Sequence, residues 1–194
     1  MQRRVQNLPD VNYIFFDDEA IFRFVYDFYP EHKDFFDKLP TMIQKLDFWR
    51  YLAIFRLGGL YLDLDMDLTV DRISDEDFSG WGACAFPLEY EQNTDNILQN
   101  RGCQYLIGNY AFYAEPQNLF LQELIMHIAT DKYGFLRNPE GLDKNQQVYY
   151  SSGPVAVTLA YLDTNTDVNI IAPRSFRPGC FGDFAVHMMA GAWK

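Results

Sequence analysis

The sequence predicts a layered α/β domain in which helices flank a β-sheet. Three observations support this class. Segments whose apolar residues recur at helical spacing alternate with short runs rich in β-branched and aromatic residues. Hydrophobic residues make up 48% of the 194 residues and charged residues 22%, which suffices for a packed core. No Pro-, Gly- or Ser-rich linker interrupts the chain, so residues 1–194 are expected to form a single domain.

The first elements are a strand followed by helices. Residues 11–16 are rich in β-branched and aromatic side chains, which predicts a strand. Asp17 or Asp18 is then expected to cap a helix that ends before Pro30. A second, shorter helix is expected over residues 31–39.

The best-defined element is a helix that begins with a capping box formed by Thr41 and Gln44. Apolar residues recur at helical spacing from there until Gly58 and Gly59 end the helix. Residues 60–65 then alternate strictly between apolar and other side chains, which predicts a strand. The three leucines of this strand face one side, and the opposite side carries Tyr61, Asp63 and Asp65.

The second half of the chain continues the alternation. Strands are expected over residues 84–87, 109–113, 168–172 and 184–187. Helices are expected over residues 118–128 and 153–161. The mixture of helices and strands along the whole chain supports the layered α/β class.

Composition and charge exclude several classes of protein. The formal net charge of -11 repels polyphosphates, so no nucleic-acid partner is expected. An anionic small ligand would need a local positive centre, either an arginine or a metal ion. The three cysteines fit neither a disulfide framework nor a zinc site, which indicates reduced thiols. No membrane span and no signal peptide are apparent in the sequence, so a cytoplasmic location is expected.

A pair of carboxylates, Asp63 and Asp65, lies at the end of the predicted strand, and Asp67 follows. Carboxylates on one face repel each other, and a hard divalent ion such as Mg²⁺ or Mn²⁺ would offset this repulsion. A solvated acidic loop is the alternative for such a pair. Asp47 and Arg50 share a face of the preceding helix, where they form either a surface ion pair or part of the same site.

The acidic run has two other interpretations. A calcium loop of the EF-hand type is rejected, because Leu68 and Ser74 occupy the places of its glycine and its final acid. Residues 65–69 resemble the D-x-D-x-T motif of the haloacid-dehalogenase phosphatases, with Asp65 as nucleophile and Asp67 as acid/base. The downstream lysine and acidic pair of that family have no clear counterpart, so the phosphatase remains an alternative.

The C-terminal residues include His187 and Trp193. A single histidine is usually a hydrogen-bonded structural residue, and a tryptophan near a terminus usually contributes to packing. Together, however, the two side chains can supply a metal ligand and an indole N–H donor.

Residues 45–51 and 57–65 resemble the signature K-x-D-x-x-R-Y … G-G-x-Y-x-D-x-D of the family 32 glycosyltransferases. A looser similarity includes the segments 15–19, 108–112, 152–154 and 173–178, together with His187 and Trp193. The resemblance implies a GT-A type fold, with a central mixed sheet flanked by helices. It also implies transfer of a sugar from a nucleoside diphosphate sugar.

The resemblance implies a role for each matching residue at the metal. Asp65 would be the principal ligand of Mn²⁺ or Mg²⁺, and His187 would be a late ligand. Asp63 would contact the donor ribose or sugar and reach the metal through water. Metal-dependent catalysis would therefore depend on both aspartates.

The remaining roles concern the donor. Asp47 and Arg50 would hold hydroxyl groups of the transferred sugar, and Tyr61 would line the donor pocket. Trp193 would donate a hydrogen bond to the departing phosphate. The resembling segments also assign substrate binding to two further residues, Asn109 and Gly153.

The family pattern is not matched everywhere. Ala192 stands where the family often has serine, and the family's usual first strand is expected to be missing. The resemblance implies retention of anomeric configuration, with a UDP-sugar favoured over a GDP-sugar. The acceptor is expected to be a hydroxyl of a glycan, glycoprotein or lipid, selected by residues 89–101 and 138–147. Inversion by a general base and a binding module without turnover remain alternatives.

Overall fold

A computed structural model of the chain describes residues 11–70, 78–92, 95–175 and 177–188. The helices are α1 (Asp18–Phe28), α2 (Lys33–Lys38), α3 (Met42–Leu57), α4 (Asn96–Asn100), α5 (Leu119–Ala129), α6 (Lys144–Ser151) and α7 (Pro154–Asp163). The strands are β1 (Gly59–Leu62), β2 (Met66–Leu68), β3 (Cys84–Tyr90), β4 (Leu106–Ile107), β5 (Ala111–Ala114), β6 (Asn169–Ile171), β7 (Cys180–Phe181) and β8 (Ala185–His187). The predicted α/β class is confirmed.

The described strands form a larger and a smaller sheet. The larger sheet has the order β1-β5-β3-β4, and these neighbours pair antiparallel. Strand β6 runs parallel to β3, so this sheet is mixed, as the sequence predicts. The smaller sheet has the order β2-β8-β7 and is antiparallel. The chain enters the smaller sheet directly after β1, which brings the two sheets together at the end of β1.

The main hydrophobic core lies between the larger sheet and the helices. Phe86 of β3 and Phe112 of β5 are fully buried, and their rings stack with a centroid separation of 4.8 Å. Helices α1, α3, α5 and α7 contribute buried residues to the same cluster, including Ile21, Leu52, Leu124 and Val157. Helix α3 is therefore buried against the sheet, which places some of its polar residues, among them Asp47 and Arg50, inside the protein.

The helix boundaries follow from local interactions that the sequence predicts. The Asp17 side chain accepts a hydrogen bond from the Ala20 amide at 2.8 Å and caps α1. Thr41 and Gln44 form the expected capping box at the start of α3. Gly58 ends α3 at a φ of 69°, which a residue with a side chain rarely adopts. These predictions are confirmed.

Replacement of Gly58 by alanine is expected to lower the free energy of unfolding by about 2–4 kcal/mol. A Cβ atom at Gly58 would lie 2.6 Å from Cδ of Pro116, in addition to the strain of the positive φ. Gly59→Ala is the matched control, because its φ of 96° is also positive but its Cβ would meet no atom within 4 Å. Urea unfolding should show the larger loss for Gly58→Ala. Equal losses would mean that the contact with Pro116 relaxes freely.

Two predicted strands are corrected. Residues 11–17 form neither strand nor helix, and Ile14 and Phe15 are 53% and 54% exposed. The prediction of a strand over residues 11–16 is wrong, because β-propensity without a paired neighbour does not make a strand. The strand predicted over residues 60–65 ends at Leu62. A turn follows in which the Met66 amide donates to the carbonyl of Asp63 at 2.9 Å, so Asp65 lies beyond β1.

The two segments interpreted as variable loops are partly regular. Residues 89–101 include the end of β3 and the short helix α4, and residues 138–147 include the start of α6. Strands β2, β4 and β7 were also not predicted, because each has only two or three residues. Such short elements show no periodicity and depend on pairing with distant segments.

The three cysteines lie in the interior, and the described helices are short or polar. Cys84, Cys103 and Cys180 are buried free thiols. Within the described ranges, the helices are too short or too polar to cross a membrane.

Candidate active site

The guanidinium group of Arg50, on α3, is the centre of a buried polar cluster. Its Nη2 lies 3.1 Å from Oδ1 of Asp47, and its Nη1 lies 3.1 Å from Oδ1 of Asp63. Nη1 also donates to the carbonyl oxygen of Asn109 at 2.8 Å. The guanidinium carbon is 4.7 Å from the centroid of the Tyr61 ring. Arg50 thus joins α3, the end of β1 and the segment before β5.

Asp47 is held by donors from three parts of the chain. Besides Arg50, its oxygens accept hydrogen bonds from Nδ2 of Asn109 at 3.1 Å and from Oγ of Ser152 at 2.8 Å. The Asn109 amide also donates to the Tyr51 hydroxyl at 3.0 Å. Burial raises the pKa of Asp47 to about 6, while Arg50 and the two hydrogen bonds oppose this rise. Asp47 is therefore mainly ionised at neutral pH.

The charges of the cluster are mutually dependent. Burial disfavours the charged form of Arg50, but the carboxylates of Asp63 and Asp47 outweigh it and raise the pKa of the guanidinium. Tyr61 donates its hydroxyl to Oδ1 of Asp63 at 2.6 Å. Burial raises the pKa of Tyr61 well above its usual value, so this hydroxyl remains a donor. Asp63 therefore has one oxygen fixed by both Arg50 and Tyr61.

A second group of side chains lies beside this cluster, where the two sheets meet. Asp63, Asp65 and His187 each place one potential ligand atom here, and these three atoms lie within 4.8 Å of one another. Nε2 of His187 is 2.9 Å from Oδ1 of Asp65. All three residues are half-buried. Two carboxylates and an imidazole at this spacing could hold a divalent cation.

The smaller sheet brings His187 to the aspartates. Strand β8 pairs antiparallel with β2, so that His187 faces Met66 in the register. The Met188 amide donates to the carbonyl of Asp65 at 2.9 Å and extends this pairing. The imidazole stacks on the ring of Tyr110, with centroids 5.2 Å apart. Its Nδ1 is buried and has no hydrogen-bond partner among the described residues, so Nε2 is the nitrogen that faces the carboxylates.

Comparison with known proteins shows that the part of the chain carrying the two aspartates is similar to glycosyltransferases. Residues 1–77 match the family model described as a glycosyltransferase sugar-binding region containing a DXD motif. These residues include Asp63 and Asp65, which form the D-x-D pair. This similarity of residues 1–77 agrees with the resemblance to the family 32 glycosyltransferases. The mixed α/β architecture of the chain is consistent with the GT-A type fold.

Named relatives come from two yeasts. The chain is 40% identical over 57 residues to inositol phosphoceramide mannosyltransferase 2 of Schizosaccharomyces pombe, covering 29% of this chain and 16% of the relative. It is 37% identical over 57 residues to mannosyl phosphorylinositol ceramide synthase of Saccharomyces cerevisiae, covering 29% and 15%. A longer match, 23% identical over 191 residues, reaches inositol phosphoceramide mannosyltransferase 1 of S. pombe and covers 95% and 53%. The matches thus span about half or less of the length of these relatives.

The structure brings most of the predicted site residues together. The arginine cluster and the carboxylate–histidine group share Asp63 and contain Asp47, Arg50, Tyr61, Asn109, Asp65 and His187. The interpretation of Asp47 and Arg50 as a surface ion pair is wrong, because they are 1% and 5% exposed. Trp193 and Ala192 lie outside the described residues.

Gly153 occupies a structural position near the cluster. It is the N-cap residue of α7 and follows Ser152, which donates to Asp47. A Cβ atom at Gly153 would lie 3.1 Å from the backbone of Tyr149, so glycine permits the close approach of α6 and α7. Its assignment to substrate binding remains a prediction.

Sequence reasoning missed three residues that support the site. Ser152 and Tyr51 belong to segments that resemble the family, but no role was assigned to either. The structure shows that Ser152 holds Asp47 and that the Tyr51 hydroxyl donates to the carbonyl of Ser152 at 2.8 Å. Tyr110, which stacks on His187, follows directly after Asn109 and carried no signal of its own. These roles depend on contacts between distant segments.

Proposed function

We propose that this chain is a metal-dependent glycosyltransferase that moves a sugar from a nucleoside diphosphate sugar to a hydroxyl group of a glycan, glycoprotein or lipid. The observation that carries the proposal is the connection of two groups through one residue. Asp63 belongs both to the group with Asp65 and His187 and to the buried cluster of Arg50. Metal ligands and a fixed cation are thereby adjacent, as a diphosphate leaving group requires.

Asp65 and His187 would hold the divalent cation, with Asp63 as a further ligand or as a ligand through water. Such a cation supplies Lewis-acid stabilisation of the charge on a diphosphate. Carboxylates suit both Mg²⁺ and Mn²⁺, whereas imidazole is a more common ligand of transition-metal ions. The presence of His187 therefore favours Mn²⁺ over Mg²⁺.

The bound cation together with Arg50 would supply the local positive charge that a nucleotide ligand needs in a protein of net charge -11. Its guanidinium is held by Asp47, Asp63 and Asn109, so the charge does not have to be reoriented during the reaction. Asp47 already binds three donors in the structure. Its principal role in this proposal is to orient Arg50, with any contact to a sugar hydroxyl secondary.

The names of the relatives suggest the first substrates to test. They describe mannosyltransferases that act on inositol phosphoceramide. Mannose is therefore the first sugar to test on a nucleotide donor, and a lipid with an inositol phosphate headgroup is the first acceptor. Retention of configuration is part of the proposal because of the family resemblance, and NMR of the product's anomeric proton tests it directly.

The first experiment is calorimetric titration of the protein with UDP and with GDP, each in Mn²⁺ and in EDTA. We expect one nucleotide to bind in Mn²⁺ and to lose at least about tenfold in affinity in EDTA, because the cation bridges protein and diphosphate. The base that binds then selects the panel of donor sugars for transfer assays. Absence of binding by both nucleotides in Mn²⁺ would contradict the proposal.

The two alternatives give different results in the same preparation. A phosphatase of the haloacid-dehalogenase type would release phosphate from a phosphomonoester in Mg²⁺ and would need both Asp65 and Asp67. A binding module would bind the nucleotide without releasing it from a donor sugar in the presence of any acceptor. The grouping of Asp65 with His187 is explained by the transferase and has no part in the phosphatase reaction.

A further inference from the structure

Glu89 lies at the edge of the larger sheet where the candidate active site is found. Leu62, the last residue of β1, pairs with Ala111 at the start of β5. Strand β3 runs antiparallel to β5, and the register that pairs Ala85 with Tyr113 brings the end of β3 past Ala111. Residues of β3 that follow this point therefore emerge at the same edge as the end of β1.

A β-bulge determines the direction of Glu89. In the pairing of β3 with β4, Leu88 faces Ile107 and Tyr90 faces Leu106, so Glu89 is the additional residue on β3. A bulge of this kind interrupts the ladder and re-aims a side chain, and bulges are common beside active sites. Glu89 is half-buried, and neither a hydrogen bond nor an ion pair links it to the rest of the described chain.

Three tyrosines lie close enough to this carboxyl group to be influenced by its charge. The charge of Glu89 raises the pKa of Tyr110, of Tyr149 on α6 and of its neighbour Tyr90, although burial is the larger cause in each case. Burial also raises the pKa of Glu89 itself to about 7. Tyr110 connects the group to the active site, because its ring stacks on His187.

We propose that Glu89, Tyr149 and Tyr90 form a binding site for the polyol part of the acceptor, with the Glu89 carboxyl group accepting a hydrogen bond from an acceptor hydroxyl. A carboxylate beside aromatic faces suits a neutral polyol and repels a diphosphate. Strand β5 lies between β1 and β3 in the sheet, so this site is adjacent to the metal ligands but separate from them. The assignment of this polyol site to the acceptor rests on the proposed transferase function.

The test uses myo-inositol and methyl α-mannopyranoside as probes, with binding followed by ligand-observed NMR. At a pH of about 8, where burial still leaves most Glu89 carboxyl groups ionised, Glu89→Gln is expected to weaken binding of at least one probe by about tenfold or more, because a charged acceptor is lost while the shape is kept. Glu115→Gln is the matched control, since Glu115 is exposed and follows the opposite end of β5. Thermal unfolding of each variant verifies that it is folded.

The outcomes separate this inference from the proposed function. Equal binding by wild type and Glu89→Gln, or no binding of either probe to the wild type, would overturn the polyol site. Calorimetry of the nucleotide in Mn²⁺ is run on the same proteins and should be unchanged by Glu89→Gln. If the protein does not bind the nucleotide but still binds a polyol in a way that depends on Glu89, the transferase function is rejected and the polyol site is retained.

Discussion

Asp65→Asn is expected to reduce Mn²⁺-dependent nucleotide binding by roughly 100-fold or more. The substitution removes one of the two carboxylates from the group that Asp65 forms with Asp63 and His187. An asparagine oxygen can still accept a hydrogen bond from His187, so the fold at the start of β2 should persist. Calorimetric titration of the nucleotide in Mn²⁺ measures the loss, and thermal unfolding verifies that the variant is folded.

Asp67→Asn is the matched control for Asp65. Asp67 lies two residues further along, within β2, where its backbone is opposite Val186 of β8. The group of potential metal ligands consists of Asp63, Asp65 and His187. The transferase proposal expects nucleotide binding within about threefold of wild type for this variant, within the usual effect of a substitution outside the site. A large loss in Asp67→Asn and little change in Asp65→Asn would reject the metal assignment. Loss of phosphomonoester hydrolysis in both variants would support the phosphatase.

Arg50→Met is expected to lower the free energy of unfolding by about 3–5 kcal/mol. Methionine fills much of the volume but leaves the buried carboxylate of Asp47 and the half-buried carboxylate of Asp63 without their cation. It also removes the hydrogen bond to the carbonyl of Asn109. Urea unfolding measures the loss. A change below about 1 kcal/mol would show that the cluster contributes little to stability.

Two further variants test whether that loss of stability arises from the buried charges. Arg23→Met removes an ion pair with Glu19 whose side chains are 68% and 81% exposed, and it should change the free energy of unfolding by less than about 0.5 kcal/mol. The double variant Asp47→Asn with Arg50→Met removes one of the carboxylates that would be left without a cation. Its loss should be smaller than the sum of the single losses, because the two residues contact each other.

The sequence by itself determined the local elements of this protein. A cap at Asp17 or Asp18, the capping box of Thr41 with Gln44 and a helix end at Gly58 and Gly59 were predicted, and the structure has the cap at Asp17 and the end at Gly58. Each depends on atoms only a few residues apart, so the interacting groups can be read directly from the order of the chain. The D-x-D pair and the family resemblance are local patterns for the same reason.

Only the tertiary structure decided how these local pieces meet. Asp47 accepts a hydrogen bond from the hydroxyl of Ser152, 105 residues further along the chain. Arg50 donates a hydrogen bond to the carbonyl of Asn109, 59 residues further along the chain. The turn after Leu62 and the pairing of β2 with β8 likewise bring His187 to Asp65. The bulge that re-aims Glu89 arises from the register between β3 and β4. Packing of distant segments sets such registers, and no periodicity within one segment records them.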